Sequence, residues 1–177
     1  MPQGTQPDSR SEIDRLMEQY GSSLLRMSAL YLKDADLAQD AVQETFIKAY
    51  RHFSEYRGES SERTWLTSIC INTCRDMLRT AWFRHQSRID PDSLPEQPAD
   101  FDFPDNTVLT EVMRLPAKFR EVVLLRYYEG LKLKEAASAL RLSEGKVRSR
   151  LAKANELLRD RLKEWYYDEE ERIQRAR

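Results

Sequence analysis

The 177-residue chain is poor in glycine, cysteine and histidine, with five, two and two of them respectively. Few glycines mean few tight turns, which argues against a β-sandwich and favours a helical fold. The two cysteines, Cys70 and Cys74, cannot supply a disulfide framework, and two histidines leave a zinc site short of its usual ligands. We therefore expect both cysteines to be small buried groups, and we predict no metal site and no cofactor.

Long apolar runs are missing as well. The longest have four residues, at 29–32 and 122–125, whereas a membrane-spanning helix needs about 20. The first ten residues also lack the apolar stretch of a secretory signal peptide. We expect a cytoplasmic protein with no membrane insertion.

Charge is unevenly distributed, although the net charge of the chain is −1. Residues 1–80 carry 10 basic and 12 acidic side chains, residues 81–105 carry 2 and 6, and residues 106–163 carry 14 and 7. A polyanion responds to the local charge rather than to the sum. An anionic partner is therefore predicted to bind near the carboxyl end.

Apolar spacing predicts an all-α protein with two small domains. Three amphipathic helices are predicted at about 11–31, 36–53 and 63–83, with Met17 on the apolar side of the first helix and Trp65 on that of the third. Residues 88–105 contain four of the seven prolines and six acidic residues, a composition that prevents a helix and indicates a flexible acidic linker. The predicted domains are residues 1–87 and 106–177.

The pattern from about residue 130 to 162 is typical of a helix-turn-helix. Gly130 is placed to end the preceding helix in the left-handed conformation. A short helix at 134–140 and a three-residue turn precede a longer helix, for which Ser143 is the predicted N-cap. The longer helix has an apolar stripe at Val147, Leu151, Ala154, Leu158 and Leu162. The opposite side of this helix carries small and polar residues edged by arginines, which suits contacts with DNA base edges and with the phosphates on either side of a groove. The alternative is an ordinary amphipathic helix whose basic face is only solvated. The candidate DNA contacts are Lys146, Arg148, Ser149, Arg150 and Lys153.

Two other helices carry polar faces. On the second helix, Ile47 stands among charged and polar groups, which is compatible with a partner site, although an isolated exposed Ile needs no partner. On the third helix, Asn72, Arg75 and Arg79 could engage unstacked nucleotides. Taken alone, that pattern favours surface ion pairs and core aromatics.

Three segments together resemble a known family. DAVQETFIKAYRHF (40–53), RTWLTSICINTCRDMLR (63–79) and LRLSEGKVRSRLAKANELLRDRL (140–162) closely resemble bacterial RNA polymerase sigma factors. The length of the chain, which is sufficient for two modules, points to the extracytoplasmic-function (ECF) group. The resemblance implies a protein that is not an enzyme, binds core RNA polymerase, recognises the −10 and −35 promoter elements, promotes promoter opening and is restrained by an anti-sigma factor.

The resemblance also implies roles for individual residues. The polymerase contacts would be Asp40, Gln43, Glu44 and Ile47. A base-capturing loop at 56–62 and the following helix would read the −10 element as a single strand, through Tyr56, Ser60, Ser61, Asn72, Arg75 and Arg79. The −35 duplex would be read by Lys146, Arg148, Ser149, Arg150 and Lys153.

One segment departs from the family pattern. The family sequence close to GTVKSRLHRAR is here GKVRSRLAKAN, at 145–155. Lys146, Ala152 and Asn155 differ in size or charge from the usual residues, so the family's −35 preferences transfer poorly to this chain.

Two other classes of function remain open at this stage. A dimeric helix-turn-helix regulator of duplex operators would need a ligand or receiver domain at its amino end. A helical adaptor with no DNA role would have a basic helix that is merely solvated. Salt sensitivity distinguishes this alternative, because phosphate neutralisation makes DNA affinity fall steeply with salt. An enzyme has the least support, since no paired carboxylates, phosphate loop or nucleophile–base set is visible.

Overall fold

A computed structural model of the chain describes residues 9–85 and 107–175. Within these ranges all regular structure is helical, which confirms the predicted all-α fold. The predicted linker at 88–105 lies outside the described residues. None of the described helices is long and apolar enough to cross a membrane.

The amino-terminal module contains three α-helices: α1 (Ser9–Leu32), α2 (Ala35–His52) and α3 (Glu62–His85). A short 3-10 helix, Phe53–Glu55, follows α2. Asp34 begins α2 as its N-cap, because its carboxylate accepts a hydrogen bond of 2.9 Å from the amide of Leu37. Apolar stripes of all three helices meet in one core, which buries Leu16, Leu24, Met27, Leu30, Phe46, Leu66 and Ile71. Met17, predicted on the apolar side of α1, is instead 47% exposed.

The carboxyl-terminal module contains four helices: α4 (Thr107–Met113), α5 (Ala117–Val123), α6 (Leu133–Leu140) and α7 (Glu144–Arg175). A π-helical turn, Leu124–Tyr128, extends α5. Gly130 follows it with a φ of +69°, in the left-handed conformation predicted for it. The hydroxyl of Ser143 accepts a hydrogen bond of 3.2 Å from the amide of Lys146, so the predicted N-cap of α7 is confirmed.

Helices α6 and α7 form the predicted helix-turn-helix. Ala136, Ala137 and Leu140 of α6 are buried, as are Val147, Leu151 and Ala154 of α7. Arg141 makes the turn possible by taking the left-handed conformation, with a φ of 54°. Helix α7 is thereby held with one face on the core and the other toward solvent.

The two modules pack against each other. Helix α3 lies along α6, and α1 contacts α4, α5 and the π-helical turn. This contact was not predicted from the sequence, and it determines which candidate binding residues reach solvent.

Candidate polymerase and promoter interfaces

Helix α2 presents the predicted polymerase contacts on one exposed face. Asp40, Gln43 and Ile47 are exposed, and Ile47 retains 46% of its accessible surface. Glu44 lies between them and pairs with Lys48 at 3.7 Å. Their spacing of three and four residues brings all four predicted side chains together.

The same face contains a residue that sequence reasoning missed. Tyr50 is 53% exposed and follows Ile47 by one helical turn. Its spacing from Ile47 was the available signal, since residues three apart share a helix face. We call Asp40, Gln43, Glu44, Ile47 and Tyr50 the α2 patch. Two adjacent large apolar side chains among polar groups are typical of a protein-binding surface.

The loop before α3 is built around two aromatic rings. Tyr56 stacks on Trp65, with centroids 4.6 Å apart and planes inclined by 23°. The Tyr56 hydroxyl donates a hydrogen bond to the carbonyl of Ser60, which closes the loop. Ser61 then accepts a hydrogen bond of 3.1 Å from the amide of Thr64 and so caps α3.

This loop encloses an open cavity of about 310 Å³, which we call the base pocket. It is lined by Glu55, Tyr56, Arg57, Glu59, Ser60 and Trp65. Burial raises the pKa of Tyr56, so its hydroxyl stays protonated at neutral pH. Carboxylates and a carbonyl can accept hydrogen bonds from a base edge, while an aromatic wall can stack on its face. Trp65 was predicted only as a core residue, because its position fits the apolar stripe of α3.

The polar face of α3 is partly covered by α6. The Asn72 side-chain amide donates to the carbonyl of Ala139 at 2.8 Å, and Arg75 donates to the carbonyl of Leu140 at 3.0 Å. Arg79 is exposed and pairs with Asp76 at 2.7 Å. The structure thus places Asn72 and Arg75 against α6, and leaves Arg79 at the edge of the contact.

The predicted −35 contacts divide into exposed and inward-facing residues. Lys146, Arg148, Ser149 and Lys153 are exposed along α7. Arg150 is half-buried and pairs with Glu121 at 2.6 Å. Four of the five predicted residues therefore form one surface that a DNA groove can reach, while Arg150 faces the core side of α7.

Two buried carboxylates, which sequence reasoning missed, join the modules. Glu121 is 3% exposed; besides Arg150, it binds Arg75 at 3.4 Å and accepts from the Tyr31 hydroxyl at 3.3 Å. Burial raises the pKa of Glu121, although Arg75 and Arg150 oppose this shift. Burial also raises the pKa of Tyr31, so it remains a proton donor.

Glu129 makes the second link. It is 2% exposed and accepts hydrogen bonds from the Ser23 hydroxyl and the Arg63 guanidinium, both at 3.1 Å. Both donors belong to the amino-terminal module. No local sequence signal marks Glu121 or Glu129, because their partners lie far away along the chain.

The cysteines are buried free thiols, as predicted. The Ser28 hydroxyl lies 3.1 Å from the Cys70 sulfur and 3.5 Å from that of Cys74. Among the described residues, no group of histidine, cysteine or carboxylate side chains is arranged to hold a metal ion.

Comparison with known proteins assigns both modules. Residues 16–84 match sigma-70 region 2, and residues 106–158 match sigma-70 region 4. The RNA polymerase sigma-H factor of Pseudomonas aeruginosa is 30% identical over an alignment covering 86% of this chain and 87% of that protein. The chain belongs to the ECF sigma factors.

Other relatives agree with this assignment. The ECF RNA polymerase sigma-E factor of Haemophilus influenzae is 29% identical, with 89% of this chain and 90% of that protein covered. The sigma factor RpoE, solved in complex with the anti-sigma factor NepR from Bartonella quintana, has the same fold, with a TM-score of 0.70 and 22% identity over 86% of this chain and 97% of that one.

As an ECF sigma factor, the protein binds core RNA polymerase and promoter DNA for transcription initiation. The operator-binding regulator is not supported, because the amino-terminal module is sigma region 2 and not a ligand or receiver domain.

Proposed function

We propose that this ECF sigma factor divides its work among three surfaces. The α2 patch binds core polymerase, the base pocket with the polar face of α3 reads the −10 element as a single strand, and α7 reads the −35 duplex. Residues 1–87 and 106–177 are then the two functional domains. The observation that carries the proposal is the α2 patch, where Ile47 and Tyr50 are 46% and 53% exposed beside polar and acidic groups.

The base pocket supports the −10 assignment. Extruding a base costs a few kcal/mol, and stacking on an aromatic ring returns about 1–3 kcal/mol. The Tyr56–Trp65 pair is held in place by the loop hydrogen bond to Ser60, so little ordering is needed when a base enters. A preformed aromatic pocket therefore suits strand opening.

The exposed residues of α7 support the −35 assignment. Lys146, Arg148 and Lys153 place cations on the surface around Ser149. Arginine and lysine can contact phosphates or guanine, and a small hydroxyl can contact several bases. The opposite face is fixed in the core by Val147, Leu151 and Ala154, so the helix can enter a groove without losing its packing.

An anti-sigma factor is the proposed regulatory partner. The sigma factor RpoE, which has a similar fold, was solved in complex with the anti-sigma factor NepR. We propose that the partner covers one or more of the three surfaces.

Binding to core polymerase tests the α2 patch. The variant Glu44→Arg with Ile47→Asp is expected to lose co-migration with core polymerase in size-exclusion chromatography, because it reverses a charge and removes an apolar contact. Helix α1 offers a matched control, Met17→Asp with Glu18→Arg, since Met17 is 47% exposed and Glu18 is exposed. The control is expected to bind as the wild type does. Unaltered binding by the α2 variant would remove this patch from the proposal.

A further inference from the structure

A polar cavity of about 720 Å³ lies where α3 meets α6 and the start of α5. Small-molecule sites in proteins typically have volumes of roughly 300–1,000 Å³. Arg75 and Arg79 of α3 line the cavity together with Arg141, which follows α6, and the carboxylate in the lining is Asp76. Positive charge is therefore in excess, which suits the binding of an anion.

Further arginines lie behind one wall of this cavity. Tyr31 forms part of the wall, and the Arg120 guanidinium lies 5.5 Å from the centroid of the Tyr31 ring. Arg120 is 4% exposed, and its Nε has no hydrogen-bond partner among the described residues. Burial lowers the pKa of Arg120 to about 10, so it is still cationic at neutral pH. Arg120, Arg150 and Arg75 share the carboxylate of Glu121, so the positive charge behind the wall is not balanced either.

Arg141 has a backbone conformation that does not favour arginine. Its φ of 54° is left-handed, a conformation that glycine or asparagine usually adopts at the end of a helix and that strains other residues. Residues held in such conformations are concentrated at ligand-binding sites. We infer that this position supplies the guanidinium group to the cavity.

Other lining groups fit the organic part of a ligand. The Asn72 amide nitrogen donates its two hydrogens to the carbonyls of Ser68 and Ala139, at 2.7 and 2.8 Å, so the oxygen of Asn72 is the atom with which it can bind a ligand. That oxygen and the Asp76 carboxylate are acceptors, which match an amino group. Apolar side chains complete the lining: Leu78, Ala117, Leu140 and Leu142. A flat ring that bears an amino group fits this combination.

We propose that this cavity binds a nucleoside diphosphate whose base carries an amino group. The three lining arginines bind the phosphates; Arg75 can do so while keeping its present contacts, because a guanidinium has five donor hydrogens and matches phosphate oxygens in pairs. Asn72 and Asp76 accept hydrogen bonds from the amino group. Since both modules contribute contacts, the ligand stabilises the folded protein by mass action. This site goes beyond the promoter-reading surfaces proposed above and does not depend on them.

Isothermal titration calorimetry of the full chain with CDP tests the site. We expect saturable binding of one CDP per protein. UDP has the same ring size and phosphates but a carbonyl in place of the amino group, so its affinity should be about tenfold lower. Inorganic pyrophosphate, which has the charge without the ring, should also bind more weakly than CDP.

The variant Arg141→Gly isolates the role of the guanidinium, because glycine adopts the left-handed conformation without strain. Its Tm without ligand is expected to be no lower than that of the wild type. Its affinity for CDP should be about tenfold lower, the effect of losing one charge-assisted hydrogen bond. Lys33→Gly is the matched control, since Lys33 is also a cation with a left-handed backbone, at a φ of 59°, but does not line the cavity. The control should bind CDP as the wild type does.

A second variant keeps the test independent of the turn. The Arg79 side chain is 67% exposed, so Arg79→Ala should fold, and it is also expected to bind CDP about tenfold more weakly. CDP should raise the Tm of the wild type and of Lys33→Gly more than that of either arginine variant.

Four outcomes would overturn the proposal: no saturable binding of CDP up to about 1 mM, an equal affinity for UDP or pyrophosphate, unchanged CDP binding in both arginine variants, or an equal loss in Lys33→Gly. These measurements contain neither DNA nor polymerase. Failure of promoter-specific transcription would therefore remove the proposed sigma surfaces without changing the result on the nucleotide site.

Discussion

Arg75 and Arg150 bind the same carboxylate from opposite modules. The Arg75 guanidinium lies 3.4 Å from one oxygen of Glu121, and that of Arg150 lies 2.6 Å from the other. The sequence predicts the first as a −10 contact and the second as a −35 contact. One buried carboxylate thus links two arginines that were predicted to belong to different DNA-contacting surfaces.

Glu121 should make stability depend on pH. Its folded-state pKa is raised by burial, so the folded protein binds its proton more readily than the unfolded chain does. Its contribution to the free energy of unfolding is therefore greatest below the unfolded pKa of about 4.3 and decreases as pH rises through the raised folded pKa. Urea unfolding of the wild type and Glu121→Gln at several pH values measures this. The stability of the wild type relative to the variant should decrease with rising pH, and a constant difference would contradict the assignment.

The −35 surface should depend on the exposed residues of α7. Arg148→Ala with Lys153→Ala is expected to weaken −35-dependent transcription. It should also reduce the magnitude of the slope of log duplex affinity against log salt concentration by about 0.9 for each phosphate that is no longer neutralised. Transcription from a pre-melted template that does not require the −35 element should change little. Arg159→Ala with Lys163→Ala, also exposed on α7, is the matched control and should behave as the wild type. Equal reductions of −35-dependent transcription in the two double variants would argue against this surface.

The base pocket should control strand opening. Tyr56→Ala removes the ring that stacks on Trp65 and is expected to reduce opening by about tenfold to a hundredfold, since stacking contributes about 1–3 kcal/mol per base. Fluorescence of 2-aminopurine in the −10 strand of the polymerase complex reports opening. Tyr127→Ala, at a tyrosine that is 60% exposed in the other module, is the control. An equal opening rate in Tyr56→Ala and wild type would exclude the pocket.

Gly130 should be required for stability by its backbone conformation. Gly130→Ala places a side chain at a φ of +69°, which is expected to lower the free energy of unfolding by about 1 kcal/mol or more. Gly145 lies in the first turn of α7, where an added methyl group meets nothing within 4 Å. Gly145→Ala should raise stability by about 0.5–1 kcal/mol. Urea denaturation measures the free energy of unfolding of both variants. Changes of the same sign in Gly130→Ala and Gly145→Ala would contradict the backbone explanation.

The helices could be predicted from the sequence because their signals are local. The third helix, predicted at 63–83, spans Glu62–His85, since its apolar spacing and the serines before it mark its course. The N-cap at Ser143 and the left-handed Gly130 were also predicted from neighbouring residues. The resemblance to sigma factors likewise rests on continuous segments.

The packing of one module on the other could not be predicted in this way. Arg63 and Glu129 are 66 residues apart, and each resembles an ordinary surface residue in its own segment. Glu129, which follows the π-helical turn, receives its hydrogen bonds from Ser23 of α1 and Arg63 of α3 only when the two modules pack together. Arg150 was assigned to the DNA surface because it flanks the polar face opposite the apolar stripe, and its ion pair with the buried Glu121 shows that it faces inward.

Run-off transcription tests the central claim most directly. Purified core RNA polymerase and genomic promoter fragments are combined with and without the protein, and with the Glu44→Arg, Ile47→Asp variant. Specific transcripts are expected only with the wild-type protein, because core polymerase alone does not select promoters. The absence of specific transcripts, together with a failure to co-migrate with core polymerase, would contradict the proposed division of function among the α2 patch, the base pocket and α7.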